Sequence, residues 1–175
     1  MNNQPDESSS WKRENLGSAK LKTFFLMHLD HIYAAKIHLV SKLPSLAAEA
    51  EFYELKNAIA QTVEDVEQQI ARMQMIYTLL DAEVSSASIH GLAGLIDDAF
   101  EAIGQQKGES ELQDLSIIFY LQNIESIEMA SFQILQIAAT KLKNKQIGKL
   151  LKENYEEAKA DRILLLFLSS KYMIS

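Results

Sequence analysis

The chain has 175 residues, enough for one domain with a sizeable core, and its 47% apolar content excludes a disordered protein. A net charge of −7 argues against nucleic-acid binding, which needs a Lys/Arg surplus to displace counterions. The absence of cysteine excludes disulfides, thiolate metal sites and cysteine nucleophiles, and no apolar run approaches the roughly 18 residues that would suggest a membrane span.

Residues 1–17 are polar, with Pro5 and three serines, and read as a disordered tail in which Trp11 is the one aromatic side chain. The domain is expected over 18–175. Helix one is predicted from Ser18, with Phe25, Leu29, Ile32, Leu39 and Leu43 recurring every three to four residues. Pro44 is expected to end or kink it, with a short continuation through LAAEA. Helix two is predicted over 51–82, on a heptad-like series from Leu55 through Ile59, Val66 and Met73 to Leu80. EVSSAS at 83–88 reads as a loop, followed by a shorter helix over 89–105 and a second loop, GQQKGES. Helix four is predicted over 111–143 and helix five over 146–172, with KNKQ as the turn between them. Four long helices and one short one, without any strand-like alternation, predict an all-α antiparallel four-helix bundle with an additional short helix.

The informative feature is charge on the apolar stripes. With Phe25 as origin, Lys36 falls about 20° away, in the middle of the helix-one stripe. With Ile117 as origin, Glu128 also falls about 20° away, and Glu125 sits on the shoulder one turn earlier. A charge in a bundle core is costly unless it is paired or bound to metal. Glu128 therefore needs a metal ion held by carboxylates from several helices, or Lys36 as counter-ion, unless one of the two snorkels to the bundle edge.

Other polar groups carry weaker signals. His28, His31 and His38 share helix one on the side away from its stripe, and His90 stands near a helix start. They read as exposed histidines without a role. Asp97, Asp98 and Glu101 on helix three, and Glu64 with Glu67 on helix two, read as solvated faces. Ser131 could hydrogen-bond inside the bundle beside Glu128, and the methionines read as core packing. The segment ILLLFL on helix five has more apolar faces than one core needs, which suggests a covered surface and a homodimer.

The segments HIYAAKIHLVSKLP, GLIDDAFEAI, NIESIEMASF and KLLKENYEEAKAD, in this order and spacing, resemble the YciE/YciF group of ferritin-like proteins over about residues 20–170. These are small bacterial bundles linked to stress responses and similar to rubrerythrin-type di-iron proteins. The resemblance implies a carboxylate-rich interior, with Glu125 and Glu128 retained on helix four, Glu64 and Asp65 on helix two, and Glu156 and Glu157 on helix five. It also implies departures. Lys36 stands where the group has Glu in motifs like DLYDAEKQL, Thr62 where it has His in HLEET, and Ala158 where it has the third Glu of LEEEKA.

The resulting expectation is a non-catalytic, stress-associated bundle with a degenerate di-metal site, in which Lys36 pairs with Glu128 or Glu125 and no cofactor is held. The alternative is a di-iron or di-manganese carboxylate protein with oxidase or peroxidase-like activity, using Glu125, Glu128, Glu157 and Glu64 or Asp65 as ligands. A second alternative is a dimeric helical interaction module with an unidentified protein partner. Nucleic-acid and membrane partners are not expected. The thiol-free composition and the polar start, without an apolar signal region, place the expected location in the cytoplasm.

Overall fold

The computed structural model describes residues 17–85 and 91–174; the expectations for the 1–17 tail, Trp11 and His90 lie outside these apart from Gly17. Among the described residues five α-helices follow one another: α1 (Ser18–Glu49), α2 (Tyr53–Leu79), α3 (Gly91–Gly104), α4 (Ser110–Ala139) and α5 (Lys145–Ile174). No strand occurs among the described residues, and none of these helices is long and apolar enough to cross a membrane.

α1, α2, α5 and α4 form the four corners of an antiparallel bundle, in that order around its axis. Cross-helix contacts fix the directions. Arg72 meets Glu157 and Glu54 meets Lys171, so α2 and α5 run oppositely. Lys36 meets Glu128 and Glu49 meets Gln113, so α1 and α4 do too. α2 therefore ends at the opposite end of the bundle from the start of α4. The chain must cross the full length between them, and α3 occupies that crossover, lying over the seam between α1 and α4. One long crossover is the connectivity of ferritin-like bundles.

Pro44 neither ends nor shortens α1, which runs through it to Glu49. The ring is exposed, so only the loss of one hydrogen bond on the wet side has to be tolerated. α1 then hands over to α2 through a two-step turn secured by Asp114 of α4. Its fully buried carboxylate accepts from the Glu51 amide at 3.0 and 3.1 Å and the Phe52 amide at 2.6 Å. These amides sit at the open start of α2, where donors lack intrahelical acceptors. Among the described methionines only Met73 is fully buried; Met27, Met75 and Met173 are exposed, because the stripe positions are already filled by Leu, Ile and Phe.

The core is not continuous. One apolar cluster, built around Leu39, Leu43, Leu55, Ile59, Ile117, Leu121 and Leu165, fills the end where α1 passes to α2. A second, around Phe25, Leu29, Met73, Ile76, Phe132, Leu135 and Leu151, fills the other end. Between them lies a buried layer containing Lys36, Thr62, Gln69, Glu125, Glu128, Asn154 and Asp161.

Candidate functional site

Each residue of the middle layer reaches the interior through ordinary helical spacing. Lys36 lies four residues after Ile32 and three before Leu39, so the α1 stripe carries it inward. Glu125 and Glu128 are one turn apart on α4 and share the face of Leu121 and Phe132. Asn154, Ala158, Asp161, Leu165 and Leu168 follow the three-to-four spacing of the buried face of α5.

Lys36 is 0% exposed, and its ammonium donates to Oε2 of Glu128, which is 3% exposed. The same ammonium lies 5.8 Å from the centre of the Phe132 ring, whose electron-rich face helps offset the lost hydration. Glu125 and Asp161, 1% and 4% exposed, complete a group of three carboxyls around one ammonium. Charge and dehydration act on these acids in opposite senses. Burial, then the negative charge of Glu128, pushes Glu125 well above the usual carboxylate range against the pull of Lys36. Burial and the nearby Asp65 push Asp161 up to about 7, again against Lys36. Several polar atoms here have no conventional hydrogen-bond partner in the protein: Glu125 Oε2, Glu128 Oε1, Asp161 Oδ2 and both amide atoms of Gln69.

Of the other candidate ligands, only Asp65 lies near this group. Glu64 is exposed, and Asp65 is half-buried with its carboxylate accepting from Gln61 at 3.2 Å. Glu157 is turned to the α2–α5 edge, where Arg72 donates to both its oxygens at 2.6 Å. That position is one residue from buried Ala158, about 100° round the helix, which is why it misses the interior. Glu67 and Glu156 are exposed as well. Among the described residues, no group of three or more His, Asp or Glu side chains is placed to hold a metal ion. With Lys36 seated on Glu128, Glu64 exposed and Glu157 held by Arg72, the several carboxylates that a di-metal centre needs do not converge here, so the residues present do not fit one.

The histidines correct the reading from sequence. Among the described residues, none of the three is on an open face. His28 and His31 are half-buried along a groove between α1 and α4, and His38 contacts Asp97 at 2.7 Å, with Lys42 on the same oxygen at 2.9 Å. α3, laid over the seam, covers the flank that a helix wheel of α1 alone leaves open. Asp98 and Glu101 are exposed, and Ser131 lines the groove instead of bonding Glu128. Asp30 is a further buried acid that the stripe analysis passed over. It accepts from the Tyr77 hydroxyl at 2.6 Å, and burial together with this bond raises the Tyr77 pKa.

Residues 20–170 match the sequence model of a family described as Domain of unknown function (DUF892). Protein YciF of Escherichia coli (strain K12) is 29% identical over 150 residues, which covers 85% of this chain and 90% of that one. The crystal structure of the E. coli stress protein YciF superposes with a TM-score of 0.83 at 27% identity, covering 89% of this chain and 98% of that one. YcfI of Rhodopseudomonas palustris superposes with a TM-score of 0.78 at 24% identity, covering 89% and 96%, a likeness of fold alone. The same holds for a protein from Xanthomonas campestris pv. campestris, with a TM-score of 0.69 at 19% identity over 89% and 94%.

Proposed function

The chain belongs to the family described as Domain of unknown function (DUF892), and from that premise we propose that it is a non-catalytic ferritin-like bundle in which the Lys36 ammonium replaces a metal ion as counter-charge to the α4 carboxylates. The observation that carries this reading is the wholly buried Lys36 on Glu128. A di-metal oxidase or peroxidase needs several ionised carboxylates converging from four helices. Here Glu64 is exposed and Glu157 is held by Arg72. By analogy with the E. coli stress protein YciF, the role is proposed to be stress-associated, exercised through protein contacts in the cytoplasm; the thiol-free composition supports that compartment.

Elemental analysis of protein produced in iron- and manganese-supplemented medium tests this. Well under one metal per chain is expected; about two per chain, the stoichiometry of a di-iron bundle, would overturn the reading.

One observation favours dimerisation as the mode of contact. Ile163, Leu166 and Phe167 are spaced three and four residues apart on α5, and all are at least half exposed, Phe167 at 64%. Such a stripe is apolar area that a second copy would remove from water. Light scattering at micromolar concentration should give twice the chain mass, with Phe167→Glu shifting it to one. A monomeric wild-type protein would remove this reading.

A further inference from the structure

We propose that the groove between α1 and α4 is a binding site for a small aliphatic amine, whose apolar chain lies in the groove and whose ammonium reaches Glu128. The groove encloses about 460 Å³, within the range of small-molecule sites. Its walls are almost wholly apolar, with Phe24, Ile134 and Leu135 among them, and His28, His31 and Ser131 supply its few polar atoms.

A second, much smaller space of about 10 Å³ lies deeper, and Glu128 is its single charged wall. The two spaces share Ile32, Leu92 and Ile127, so they adjoin along these three side chains. The inner space suits one water-sized group, which is also the size of an ammonium head.

Charge selects the head group. Three carboxyls face one ammonium in the middle layer, and Glu128 Oε1 is taken by no protein nitrogen. An ammonium head would donate to the free Oε1 and bring counter-charge to a layer richer in carboxyls than in cations, whereas a carboxylate head would face like charge in a dehydrated setting. The inference uses the same Glu128 as the non-catalytic reading but does not depend on it, since metal analysis tests that reading alone.

Calorimetric titration of the full-length chain at pH 7 with octylamine, 1-octanol and octanoate provides the test. Octylamine should bind saturably, 1-octanol about tenfold more weakly, and octanoate not measurably. Ala130→Trp, made at an exposed position on the groove wall, fills the space without touching the core and should weaken octylamine by about tenfold or more. Ala160→Trp, exposed on α5 and away from the groove, should leave it unchanged. Octanoate binding as tightly as octylamine, an Ala130→Trp protein with undiminished affinity, or no saturable octylamine binding at millimolar concentration would each overturn the proposal.

Discussion

Replacing Lys36 with methionine should lower the stability of the bundle by about 3–5 kcal/mol at pH 7. The loss does not measure the attraction between two charges. Lys36 and Glu128 are both dehydrated, and removing the ammonium leaves a carboxylate among Phe132, Ile124 and Ile32 with neither water nor counter-ion. Glu128 can limit the damage only by binding a proton, so the deficit should be largest at alkaline pH and shrink toward pH 5. Removing both charges tells the same story from the other side: Lys36→Met with Glu128→Leu should recover most of the loss, because no uncompensated charge remains. Urea titrations of the three proteins decide it. The exposed contact between Lys42 and Asp97 is the internal control; Lys42→Met should cost no more than about 1 kcal/mol. A Lys36→Met penalty equally small would mean that the ammonium is solvated and the counter-charge idea is wrong.

Asp161→Asn should stabilise the protein at pH 8, by up to about 4 kcal/mol, while leaving it nearly unchanged at pH 4. Asp161 has its pKa pushed up to about 7 by burial and by Asp65, from 3.8 in the unfolded chain. An acid with a raised pKa binds more protons folded than unfolded. Its contribution is fully present below about pH 4 and is lost as pH rises through about 7. Wild-type stability should therefore carry a falling component between these limits, and the asparagine variant should lack it. Glu125, raised in the same direction, adds to the wild-type slope and remains in the Asp161→Asn protein, so the variant curve should be shallower but not flat. Chemical denaturation at intervals from pH 4.5 to 8 reads the two curves. Parallel curves would show that Asp161 is hydrated and titrates normally.

The elements of this bundle are legible in its sequence because each long helix carries an apolar period along most of its length; Phe25, Ile32, Leu39 and Leu43 all lie where that period puts them. Lys36 and Glu128 could be picked out by the same device, as charges in the middle of a stripe. Asp161 was missed although the signal was present: it follows Asn154 by seven residues and precedes Leu165 by four, squarely on the buried face. Attention to the adjacent YEEAKA motif favoured Glu157, which faces Arg72 across the α2–α5 edge. Wheel analysis failed for the histidines because their burial comes from α3, a neighbour that no single-helix pattern contains. Nor does the period of one helix reveal that Asp114 is spent on the amides that open α2.

The charged waist between the two oily clusters also has a mechanical consequence. Leucine- and isoleucine-lined helices can slide past one another with little change in apolar contact, and a slip of one turn shifts the partners by about 5.4 Å. Here that slip would carry Lys36 away from Glu128 and strand both ions in hydrocarbon. The waist thus acts as a keyway for α1 on α4: it sacrifices some cohesion and makes every misaligned assembly far worse than the aligned one.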